Sequence, residues 1–327
     1  MILLLVAAYA GGSAVVGPVL GWRERQPLIA YAIGTLVLMV GAAPFVLSLM
    51  WFAELVRQRR ARGKDAPARD AWRAVRRRVT SPDRLLGIAA VFLALWLVMA
   101  TAAAWRVSIP LLRPFAYDAL LAEWSRRLHG GRFAWEWLQP VLGHPPITRA
   151  IGWLYGFVWG TAKIGVVLAC AVAAPSHLRR RILVAYVLEY AALGSLVATL
   201  VSSAGPVYYG AVTGASLDPF APLVAYLRSL DADGGFSVVL LQDRLWSEYA
   251  TGQGFGITAF PSIHVSSATL LALAGQQLGR WWGVAGWTLC VFTLIGSVHL
   301  GWHYALDGYA SIVGMVVIWW VAGRLVR

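Results

Sequence analysis

Charged side chains are scarce in this chain: Lys, Arg, Asp and Glu make up 13% of its 327 residues, against 59% hydrophobic residues. An ordinary soluble domain carries about twice that share of charge, so the balance excludes one and points to an integral membrane protein. Cysteine is nearly missing. The two present, Cys170 and Cys290, both lie in apolar stretches and read as small buried hydrophobes, so no disulfide scaffold is indicated and redox compartment stays open. Acidic residues number 15 against 28 basic ones, a net charge of +13. In a soluble protein that excess would suggest nucleic acid. Here the basic residues cluster between apolar spans instead of forming one face, which argues for membrane topology and against a nucleic-acid partner. No internal repeat and no low-complexity segment is present. No Lys or Arg precedes the apolar run that opens the chain, and early Gly and Pro dilute it, so it reads as a first membrane helix in preference to a cleaved leader.

What the chain does have is apolar runs. A membrane span needs about 20 apolar residues, and stretches of that kind begin near Ile2, Leu28, Leu85, Ala150, Ile182, Ser262, Trp282 and Tyr304. The expected fold is therefore all-α, a polytopic bundle of about eight transmembrane helices. The 17 Trp and 12 Tyr fit rings at the headgroup level. Residues 57–78, 177–181, 280 and 324–327 hold the short basic junctions. Placing all of them in the cytoplasm lets eight helices alternate without contradiction, with both termini inside. Residues 1–110 then form N-terminal membrane helices with a basic cytoplasmic loop, and 111–327 form the core. Segments 110–149 and 205–261 face outward. The first contains Asp118-Ala-Leu-Leu-Ala-Glu-Trp-Ser-Arg-Arg, an amphipathic stretch predicted to be a helix in the membrane interface. The second carries Gly205-Pro206-Val207-Tyr208-Tyr209-Gly210 and Asp231-Ala-Asp-Gly-Gly, turn signals of a loop.

Ionisable residues are costly in a bilayer, so each one near a helix end is solvated, paired or functional. His264 lies at the outer start of the sixth helix, in Phe260-Pro261-Ser262-Ile263-His264, and His303 and Asp307 lie at the outer start of the eighth. Two crossings separate the histidines, which returns both to one side at similar depth. His303 and Asp307 are four apart, a spacing that on a helix stacks them on one face and lets the carboxylate accept from one ring nitrogen. The other nitrogen is then a nucleophile, and a second histidine can protonate a leaving oxygen, as covalent phosphoryl transfer requires. The plainer reading is a helix-end pair that satisfies itself. His299, His303 and Asp307 also form a ladder with metal-ligand spacing. Against a metal, no Glu follows His299, where Leu300 and Gly301 stand; His299 reads as a supporting or interface histidine.

Gly256-Ile257-Thr258-Ala259-Phe260-Pro261-Ser262-Ile263-His264 resembles the Pro-Ser-x-His signature of the type 2 phosphatidic acid phosphatase superfamily, and Gly301-Trp302-His303-Tyr304-Ala305-Leu306-Asp307-Gly308 resembles its His-xxx-Asp signature. Both variants, with Gly205-Pro206-Val207-Tyr208-Tyr209 upstream, are similar to the branch of inositol phosphorylceramide synthases and their bacterial relatives. The resemblance covers roughly residues 118–314. It implies a metal-independent, cofactor-free enzyme with a six-helix core, acting on a lipid phosphate among membrane lipids with a polyol or other alcohol, or water, as acceptor. It makes His303 the nucleophile, Asp307 its orienting partner and His264 the general acid that later acts as base, with Ser262 contributing hydroxyl or backbone to the phosphate. Two features depart from the family: the Lys followed by Arg-Pro is absent, and Ser297 stands where an Arg is expected. Some cation must then replace these donors. The candidates are Arg244, Lys163 and, more weakly, Arg228; Lys163 can equally snorkel or pair with Glu189, and Arg244 can be a solvated loop residue. Tyr208 is a candidate headgroup contact, although tyrosines at a membrane boundary are commonly anchors. A transporter or structural role, with His and Asp as proton relays or packing pairs, would show inverted repeats or paired broken helices, and neither is found.

Overall fold

A chain that crosses a bilayer must satisfy its backbone internally, as helices or as a closed barrel. The computed structural model describes residues 2–16, 28–63, 65, 67–80, 82–172, 176–231, 236–251 and 256–327, and no strand occurs among them. The long helices are α1 (Ile2–Val16), α2 (Leu28–Arg62), α4 (Pro82–Leu112), α7 (Pro145–Val172), α8 (His177–Leu188, continuing through a π-helical stretch Glu189–Val197 and a last turn Ala198–Leu200), α12 (Ile263–Leu278), α13 (Arg280–His299) and α14 (Ala305–Leu325). Between them lie α3 (Ala68–Thr80), α5 (Asp118–Leu128), α6 (Ala134–Leu142), α9 (Tyr209–Thr213), α10 (Ala221–Ser229) and α11 (Ser237–Ala250). A long helix thus starts at or near each of the eight expected places. Four stretches, Leu85–Leu112, His177–Leu200, Arg280–His299 and Ala305–Leu325, are long and apolar enough to cross a membrane among the described residues. At 16 residues, α12 is only about 24 Å long, short of the hydrocarbon thickness.

Two sequence expectations change. The basic connection between the second and third long helices, read as a loop, contains α3: Ala71 and Val75 lie one turn apart and are buried while Arg69, Arg73, Arg76 and Arg77 face out, so a helix with one apolar face forms there. The 205–261 segment, read as a loop from its Gly and Pro, is largely the short helices α9, α10 and α11. Of the turn expected after Asp231, residues 232–235 lie outside the described residues.

The long helices share an apolar core of Val6, Leu95, Val98, Val184, Val187, Leu193, Leu270, Met315 and Trp319. Cys290 is buried within α13, and the side chain of Cys170 lies outside the described residues. Large apolar side chains such as Leu86, Val313 and Trp320 are exposed on the opposite faces, as expected of surfaces that meet lipid. Small residues set the closest approach between helices: a Cβ added at Gly286 of α13 would lie 2.5 Å from the Ala272 Cα of α12. The short helices pack as a cap over one end. Leu223, Leu227, Phe236, Val238 and Leu300 form one cluster there with Ile151 and Tyr155 of α7. Leu121, Ala122, Phe220 and Tyr304 form another.

Candidate active site

The His303–Asp307 pair forms, but not as two turns of one helix. The carbonyl end of α13 stops at His299, Gly301 turns the chain at φ 73°, and α14 begins only at Ala305. His303 therefore lies just ahead of α14 and Asp307 in its first turn. The Tyr304 N–H donates to Asp307 Oδ2 at 2.9 Å, a capping contact that turns the carboxylate back toward the incoming chain. His303 Nδ1 is 3.4 Å from the same oxygen, longer than a formed hydrogen bond. Asp307 is fully buried and His303 is 5% exposed.

His264, in the first turn of α12, meets His303 edge to face with ring centroids 5.9 Å apart. Its other side stacks on Tyr155 of α7 at 5.2 Å, which fixes the ring plane. Ser262 is the N-cap of α12; its hydroxyl accepts from the Val265 N–H and its own N–H donates to the Asp307 carbonyl at 3.4 Å. The two signatures are thus joined through backbone as well as through the imidazoles.

A strap at 202–208 holds both. The Ser203 carbonyl accepts from the Ala259 N–H, and the Val207 N–H donates to the Gly301 carbonyl. Gly205 has φ 99°, and a Cβ there would lie 2.6 Å from the Trp302 carbonyl oxygen. Gly205→Ala is expected to cost about 1–3 kcal/mol through backbone strain and to push on the residue before His303. A lowered thermal midpoint in detergent, together with reduced turnover, checks it.

Tyr208, Arg244 and Arg228 are engaged with partners of their own. Tyr208 is buried, stacks on Trp246 and donates its hydroxyl to the Gln242 carbonyl, while Gln242 Nε2 donates to the Leu300 carbonyl. Burial pushes the Tyr208 hydroxyl above the ordinary tyrosine range, so it stays a donor in this anchor. Arg244 is 63% exposed and ion-paired to Glu248 at 2.7 Å, and Arg228 pairs with Asp243 at 2.6 Å. The side chain of Lys163 lies outside the described residues; its backbone is eight residues along α7 from Tyr155, about 12 Å of helix. Glu189 accepts from the Ser266 and Ser267 hydroxyls of α12.

The His299–His303–Asp307 ladder read from spacing does not assemble, because the helix ends between its first two members. His299 is buried with Nε2 2.9 Å from Thr148 Oγ1, which also meets the Tyr226 hydroxyl at 2.7 Å. Among the described residues no group of three His, Cys, Asp or Glu is placed to hold a metal ion. Ser297, where an Arg was expected, is buried, and its carbonyl accepts from the Trp302 and His303 N–H groups.

Sequence reasoning missed Asp118 as part of this region. It is 1% exposed and accepts from the Ser203 hydroxyl, the Ala204 and Gly205 N–H groups and the Tyr304 hydroxyl. The signal was its register: Asp118 shares one helical face with Leu121, Ala122 and Ser125, all buried.

An apolar helical bundle that brings two imidazoles and a buried carboxylate together at a helix junction defines a class, helical membrane proteins with a clustered His–His–Asp site. The family model of the PAP2 superfamily matches residues 119–321, and the chain belongs to that superfamily. Membership supports a phosphatase-type enzyme with phosphatase or phosphotransferase chemistry on lipid phosphates. Neither the curated proteins nor the solved structures contain a match.

Proposed function

We propose that the chain is a membrane-embedded lipid phosphotransferase working through a phosphohistidine at the extracytoplasmic face. The observation that carries the reading is the contact of His264 with His303, backed by Asp307. With its Nδ1 proton directed at Asp307, His303 presents the Nε2 lone pair. Nε2 attacks phosphorus, the bond to the donor's alkoxide oxygen breaks, and His264 protonates that oxygen. An acceptor alcohol then gives its proton to His264 and attacks phosphorus, and the P–N bond breaks to restore His303. Ser262 and one of Arg244 or Lys163 are proposed to contact the phosphate. The basic junctions at the other end of the long helices support the outward placement.

The resemblance of both signatures and of the Gly205–Tyr209 strap to the inositol phosphorylceramide synthase branch favours transfer to an alcohol. Hydrolysis is the second reading, differing only in its acceptor. Phosphate release from a lipid phosphate donor, measured with and without inositol or glycerol, separates them. Transfer is expected to give a new lipid or phospho-alcohol product and to suppress phosphate release. Release indifferent to every alcohol would leave hydrolysis.

A further inference from the structure

We propose that Asp118 and Tyr304 are positioning residues that set the His303–Asp307 pair, an assignment that rests on His303 being the nucleophile. The connection is continuous. Asp118 Oδ1 accepts from the Tyr304 hydroxyl at 3.0 Å, and the Tyr304 N–H donates to Asp307 Oδ2 at 2.9 Å, the oxygen that faces His303 Nδ1. Tyr304 is thus held at both ends by carboxylates, and it is the residue that follows the nucleophile.

Asp118 is itself fixed. The Ala204 and Gly205 amides can only donate, and they approach different carboxylate oxygens at 3.0 and 2.8 Å; the Ser203 and Tyr304 hydroxyls add two further donors to Oδ1, so four donors converge on one side chain. These partners belong to the strap that also contacts Ala259 and Gly301. Asp118 therefore refers the position of Tyr304 to the same segment that holds the Pro-Ser-x-His loop. Burial, then the neighbouring Asp118 and Asp307, raises the Tyr304 hydroxyl well above the ordinary tyrosine range, so it keeps its proton and remains a donor.

The test compares Tyr304→Phe with Ser203→Ala. The phenyl ring still fills the pocket of Leu121, Ala122 and Phe220 but loses the bond to Asp118. Ser203→Ala removes a different donor from the same carboxylate. Tyr304→Phe is expected to lower kcat and the rate of phosphohistidine formation about tenfold, the size of one lost hydrogen bond, with KM for the donor lipid within about twofold. Its loss should be equal for good and poor leaving groups, because the nucleophile is what moves. Ser203→Ala, which leaves the Tyr304–Asp118 bond in place, is expected to lower kcat by less than Tyr304→Phe does. Where Tyr304→Phe does not fold, Asp118→Asn, which keeps the volume and removes the charge, carries the same expectation. Wild-type rates in a folded Tyr304→Phe, a loss confined to KM, or equal kcat losses in Tyr304→Phe and Ser203→Ala would overturn the assignment. Absence of label on His303 in the unaltered protein would overturn the reading of the site itself.

Discussion

His303→Ala is expected to abolish covalent labelling by a radiolabelled lipid phosphate and to reduce turnover at least about 10⁴-fold, the scale seen when a nucleophile is removed. The size follows from the mechanism: without the P–N intermediate, one easy displacement has to be replaced by a direct attack that the site does not align. Structural collapse is a poor competing explanation, because among the described residues the His303 ring makes no hydrogen bond that holds other elements together; its backbone N–H, bonded to the Ser297 carbonyl, is unaffected by the substitution. Label recovered at wild-type rate on another residue would remove His303 from the nucleophile's role. Full turnover without label would remove the covalent mechanism.

Much of the fold was legible because a bilayer imposes length and apolarity on each crossing. The return of the chain between His264 and His303 needed only a count of two spans. The carboxylate partner of His303 was legible from its spacing, but for the wrong local reason: a helical repeat was assumed where Gly301 breaks the chain and the capping contact of Asp307 with Tyr304 restores the approach. The route of His299 to Thr148, 151 residues away, leaves no trace in local spacing. Nor does the anchoring of Tyr208 on Gln242. Asp118 was hidden differently. An acidic residue at the start of an amphipathic stretch reads as solvent-facing; its register with Leu121, Ala122 and Ser125 points inward, and the strap's amides show what its carboxylate meets. Of the cap helices, α5 was legible from its amphipathic stretch; α9 was hidden among Gly205, Pro206, Gly210 and Gly214, and α10 and α11, 9 and 14 residues long, lay in a segment read as loop from its turn signals.

His264→Ala separates the acid and base roles of the second histidine. With a lipid donor the departing alkoxide must be protonated, so turnover is expected to fall about 10²–10⁴-fold. With a nitrophenyl phosphoester the leaving group departs without a proton, and phosphohistidine formation is expected to fall only about tenfold. Resolution still needs a base to take the acceptor's proton, so the labelled intermediate should accumulate in His264→Ala when it is fed the activated ester, and not in the unaltered protein. Tyr155 stacks on His264 and fills the space behind it, which leaves the cavity made by the substitution bounded by that ring. Equal losses with both esters would show that His264 does not act on the leaving oxygen, and rapid resolution without accumulation would assign the base to another group.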